Sequence, residues 1–181
     1  MNSSYYRWKR LFLFALGLFI GTAFCMKWLE GDFWVKNEKF TILGLELFYS
    51  KEKVQAIVSS LDYRVQTILR YQLYFDFAFM AGVYPGIISL CMMAREKLSS
   101  TKLKKILFLL AAFQLLAWTA DITENFYLLL WIKKPFIGNE FEWYHGIVAG
   151  KWIIALAGVL LSIPIVLRKK ATRQIKTHFF I

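Results

Sequence analysis

KKILFLLAAFQLLAWTADITENFYLLLWI, residues 104–132, is the stretch on which the fold turns. It is longer than the roughly 20 helical residues that cross about 30 Å of hydrocarbon. Yet Asp121, Glu124 and Asn125 interrupt it in its second half. In a soluble protein these residues would mark a wet helix face. Inside a membrane, ionisable side chains are costly, and they face protein or a polar cavity rather than lipid. At 3.6 residues per turn, Gln114, Asp121, Glu124, Asn125 and Leu128 share one stripe of the helix. That stripe is expected to face the interior of a helix bundle.

Three other apolar stretches have the length of a span, at about 10–28, 71–94 and 143–167. The composition agrees: 58% of the 181 residues are hydrophobic and 18% aromatic, outside the range of soluble domains. The sequence therefore predicts an all-α integral membrane protein, a four-transmembrane-helix bundle forming a single domain over residues 1–181. The first stretch follows Arg7, Lys9 and Arg10 as a signal peptide would, but it is long and no small-residue cleavage site follows it, so it reads as a span. TAFC, with Phe24 before Cys25, does not make a lipobox.

Basic residues set the expected orientation, because Lys and Arg in short flanks are retained on the cytoplasmic side. The N-terminus, residues 95–105 and the C-terminal tail together carry thirteen basic residues and one acid, Glu96. Residues 27–70 and 133–142 carry nine basic residues and eight acids. Both termini are thus expected in the cytoplasm, in a multi-pass protein of a bacterial inner membrane. The net charge of +11 is explained by a basic rim facing anionic lipid headgroups, and nucleic-acid binding is not expected.

With this topology the polar residues of three spans fall at one depth, in the outer half of the bilayer. Gln72 and Asp76 share a face of the second span, and Tyr144, Lys151, Ala155, Gly158 and Ser162 share one of the fourth. The expected binding residues are Gln72, Asp76, Gln114, Asp121, Glu124, Asn125, Tyr144, Lys151 and Arg64. Three carboxyl groups against the single ammonium of Lys151 leave negative charge to be offset. A proton, a bound cation, or Arg64 or Arg70 folding inward would do so.

Other features read as structural. Gly17 and Gly21 in the first span, and Gly146 and Gly150 in the fourth, make small-residue faces suited to a neighbouring helix, a second copy or a partner membrane subunit. Pro85 is expected to kink the second span. The segment 29–70 contains KFTILGLELFY, expected as a short strand or an apolar strip on the bilayer surface. After it, Val54, Ile57, Val58, Leu61, Val65 and Ile68 recur at helical spacing behind the N-cap Ser50. This predicts an extracytoplasmic amphipathic helix that caps the bundle and runs into the second span.

No nucleotide loop, nucleophile motif or metal set is present in the sequence, and neither metal nor cofactor is expected. Cys25 and Cys91 fall near opposite faces, too far apart to pair. His145 reads as an interfacial residue, and His178 lies in the tail.

LDYR before the second span, then YFDFAFMAGVYP, DITEN and GKW in successive spans, resemble a recurrent pattern of small four-span bacterial membrane proteins. The resemblance implies a shared arrangement of Arg64, Asp76, Asp121, Glu124, Asn125 and Lys151, and no particular activity. The function expected from the residues is binding of a cation, a proton or a polar headgroup by a transporter-like, channel or accessory subunit in contact with membrane lipids. Two alternatives stand beside it. One is a lipid- or isoprenoid-modifying enzyme using Asp121 and Glu124 as acid and base, with Lys151 stabilising developing charge. The other is a scaffold.

Overall fold

The computed structural model describes residues 3–168; the basic residues beyond 168 and His178 lie outside them. Four helices are long and apolar enough to cross a membrane: α1 (Ser3–Leu29), α3 (Tyr63–Lys97), α4 (Thr101–Lys133) and α5 (Glu140–Leu167). Each begins or ends several residues beyond its apolar stretch, because capping residues and polar flanks extend the helix past the hydrocarbon-length core. The short helix α2 (Lys51–Ser59) belongs to the connection between α1 and α3.

The bundle has two unlike ends. At one, α3 and α4 are joined only by residues 98–100, and Ser4 Oγ donates to Glu96 Oε1 at 3.4 Å. At the other, residues 30–62 form a cap. Its first part is a hairpin in which β1 (Trp34–Val35) pairs antiparallel with β2 (Glu38–Lys39). Lys36 and Asn37 make the turn with φ of 49° and 66°, the left-handed conformation that a two-residue hairpin loop requires. The expected strand in KFTILGLELFY is therefore limited to its first residue, Lys39, and residues 44–48 instead close a single wide π-helical turn.

Ser50 caps α2 as expected, its Oγ accepting from Lys53 N at 3.4 Å. The helix does not continue into the second span, and here the structure corrects the expectation. It stops at Ser59, and Asp62 caps a new helix by accepting from Val65 N at 2.8 Å. A side-chain acceptor two residues before Arg64 starts α3 afresh, so Val65 and Ile68 belong to α3 and the periodicity shared across the break is accidental.

Apolar packing seats the cap. Phe33, Phe40, Leu45, Val54, Ile57 and Val58 join Leu69 and Leu73 of α3, Leu128 and Trp131 of α4 and Tyr144 and Val148 of α5 in one buried cluster. Farther along the bundle come Met80, Tyr84 and Ala117, then Ile87, Cys91 and Ala111. α1 lies outside this three-helix core and packs chiefly along α3. Its close approach is at Gly82, where a Cβ would come within 2.6 Å of Phe19 N. Gly17, Gly21, Gly146 and Gly150 have no such neighbour among the described residues, so these small-residue faces do not pack against the described helices. α3 continues as one helix through Pro85. The exposed faces of α1, α4 and α5 carry Phe14, Phe24, Phe113, Leu116, Ile153 and Leu160, an apolar belt suited to lipid.

Candidate functional site

The stripe of α4 places Asp121, Glu124 and Asn125 between the layer of Ala117 and the layer of Leu128. Apolar side chains thus close the polar residues off toward both ends. Lys151 of α5 enters this space and forms ion pairs with Asp121 Oδ1 and Glu124 Oε2. All three residues are buried, as they must be if their charges are to stay paired rather than wet.

α3 contributes from the third side. Tyr84 OH donates to Asp121 Oδ2 at 2.8 Å, so both oxygens of that carboxyl group are engaged. Asn125 Nδ2 donates to Asp76 Oδ2 at 2.7 Å and reaches Leu73 O at 3.4 Å, tying α4 to α3. Gln72, one turn from Asp76, is 1% exposed, and its Oε1 has no hydrogen-bond partner.

The cap supplies a residue that the sequence reading passed over. Glu46, on the 44–48 turn, brings Oε2 to 3.9 Å from Lys151 Nζ. The turn is held to α5 by Tyr144 OH, donating to Leu45 O at 3.5 Å, and by His145 Nε2, 2.9 Å from Leu47 O. Burial pushes the Glu46 carboxyl up from the usual range; Lys151 opposes the shift and Asp121 adds to it. One signal in the sequence could have found it: Glu46 is the lone acid in the apolar run LGLELF. Tyr84 was also passed over, although it lies two turns beyond Asp76 on the same face of α3.

Two expected residues lie elsewhere. Arg64 does not fold inward: its Nη2 is 3.1 Å from Asp32 Oδ1 and its side chain is 77% exposed, because the first turn of α3 rises above the bundle beside the cap. Gln114 lies two turns from Asp121 toward the short-loop end, where its Nε2 donates to Ile154 O at 3.0 Å and Leu110 O at 3.3 Å. There it bridges α4 to α5, opposite Gly158, whose missing Cβ makes room for the amide. Tyr144 borders the cluster through its ring, packed edge to face on Trp131 with centroids 4.7 Å apart.

Three carboxyl groups, Glu46, Asp121 and Glu124, therefore face one ammonium in a buried site, and a fourth, Asp76, is tied to it through Asn125. Glu124 Oε1 has no hydrogen-bond partner, leaving the contact of Oε2 with the Lys151 ammonium as the interaction that holds the carboxyl group. Such an arrangement can exchange its cation or take up protons, since uncompensated carboxylates in low dielectric bind whichever positive species reaches them. Among the described residues no three His, Cys, Asp or Glu side chains are disposed to hold a metal ion, because Lys151 occupies the centre of the acids. No family of known proteins, no curated relative and no solved structure matches this chain.

Proposed function

We propose that this chain is a multi-pass membrane protein that takes up a small cation or protons at the acid cluster under its cap, as a transporter-like or accessory membrane subunit. The observation that carries the reading is the pairing of Lys151 with Asp121 and Glu124 while Glu46 stands beside them, also buried. Lys151 acts as a tethered resident cation. A free cation or proton that neutralises the acids competes with it, and displacement of the ammonium moves α5 relative to α4. The excess of basic residues at the short-loop end supports an orientation with that end and both termini in the cytoplasm. The cap and Glu46 then face the outside, and uptake is from there. The acid–base enzyme reading is less well supported, since Asp121 and Glu124 are both committed to Lys151.

Thermal unfolding of the purified protein in nanodiscs tests the reading. Sodium, potassium and guanidinium are compared at constant ionic strength, with N-methylglucamine as the inert cation. A ligand that binds the folded state raises the melting temperature in a saturable way. One cation should do so at about pH 8 and lose its effect toward about pH 5, as protons take its place. If a proton is the only ligand, melting should depend on pH with no cation preference. Melting that is indifferent both to the cation and to pH over this range would leave a structural clasp and end the proposal.

A further inference from the structure

Asp76 is the one acid of the cluster that Lys151 does not touch, and its surroundings differ from those of the others. Its Oδ2 accepts a single hydrogen bond from a neutral donor, Asn125 Nδ2 at 2.7 Å. Gln72 precedes it by four residues, so their side chains are neighbours on one face of α3. Gln72 is buried, and its Oε1 is an acceptor with no donor. An ionised carboxylate has no donor to offer that carbonyl oxygen, whereas a protonated carboxyl supplies in its O–H the donor that Gln72 Oε1 lacks.

Charged groups face Asp76 from three elements. From α4 comes Asp121, from the cap Glu46, and from α5 Lys151, whose charge is already shared by Asp121 and Glu124. α1, packed along α3, brings no charged residue between Arg10 and Lys27. The two carboxyl groups and the committed ammonium leave Asp76 without a cation of its own.

We propose that Asp76, with Gln72 and Asn125, is a proton-binding site distinct from the Lys151 ion pairs, in which the protonated carboxyl O–H donates a hydrogen bond to Gln72 Oε1. The proton comes from hydronium in the surrounding water: one of its O–H bonds breaks, leaving water, as the O–H bond forms on the Asp76 carboxylate, and Gln72 only accepts a hydrogen bond. This goes beyond the exchange assigned to Lys151 and stands or falls separately from it.

Infrared difference spectroscopy of the protein in nanodiscs, titrated from about pH 5 to about pH 8, reads the C=O stretch of protonated carboxyl groups directly. Isotope-labelled aspartate separates Asp76 and Asp121 from the glutamates. The wild type should show one aspartic-acid band at neutral pH, and Asp76→Asn should abolish it. Asp121→Asn should keep it, and Gln72→Leu should shift it to the higher frequency of a carboxyl group without an acceptor. Near-native melting of Gln72→Leu keeps the result interpretable if Asp76→Asn folds poorly. An aspartic-acid band missing from the wild type at neutral pH would overturn the proposal and mean that Gln72 turns its amide N–H toward an ionised Asp76. A band unaffected by Gln72→Leu would also overturn it. Melting indifferent to both the cation and pH, together with an Asp76 band that persists from about pH 5 to about pH 8, would retire the Lys151 reading and leave this one standing.

Discussion

Glu46 is the only carboxyl group of the cluster that no membrane span carries, and it makes the cap sensitive to pH. Burial raises its pKa above the ordinary carboxylate range, so the folded state holds its proton where the unfolded chain has already released it. Its contribution to stability is complete below the unfolded pKa and is lost as pH rises through the folded one. Glu46→Gln removes that loss. In cation-free buffer the variant should therefore gain on the wild type between about pH 5 and about pH 8, as thermal melts at the two ends would show. An ordinary cap makes a useful contrast. Asp62→Ala deletes the acceptor for Val65 N and should cost about 1 kcal/mol at either pH, measured by the same melts. Part of this site was legible in the sequence. Asp121, Glu124, Asn125, Asp76 and Lys151 announce themselves because helical periodicity holds over whole spans, so depth and facing can both be counted. Glu46 escaped because it sits on a π-helical turn between a hairpin and a short helix, where neither the strand period nor the helix period applies. Arg64 was drawn in by the need for a countercharge, which periodicity alone could not locate; the structure gives it Asp32 instead.

Among the elements, the α1–α3 contact shows what a glycine pattern can and cannot predict. Gly17-x-x-x-Gly21 permits a close approach, but which helix approaches depends on the partner surface. In this chain the backbone of α1 settles onto Gly82 of α3. A methyl group at Gly82 would run into the backbone of Phe19, with no flexible side chain to give way. Gly82→Ala should therefore destabilise the protein by about 1–3 kcal/mol or displace α1. Gly17→Ala meets open space and should be neutral or slightly stabilising, by the roughly 0.5–1 kcal/mol that alanine gains over glycine in a helix. Chemical denaturation of the two variants in the same detergent would check the difference. The four spans themselves were readable because membrane crossing demands uninterrupted apolar length. The break between α2 and α3 was masked by Leu61, which continues the apolar spacing across it, although Asp62 marked the new start.

At the level of the whole molecule, the bundle is a three-helix core of α3, α4 and α5 with α1 along one side, a cap at one end and basic flanks at the other. The uneven charge of the two ends predicts how it sits in the membrane. In a background lacking Cys25 and Cys91, Ser100→Cys should react with an impermeant thiol reagent from the cytoplasmic side and Lys134→Cys from the opposite side. Reaction of both from one side would contradict that orientation. The acid cluster lies at the cap end because the cap helps to build it, and its stability and chemistry both depend on Lys151. The most direct measurement is a double-mutant cycle between Lys151→Met and Glu124→Gln, followed by unfolding. Removing the ammonium alone leaves buried acids uncompensated and should cost about 3–5 kcal/mol, whereas neutralising Glu124 as well should restore much of that loss. Strictly additive effects, with no coupling between Lys151 and Glu124, would mean that the lysine is not the resident cation of the site.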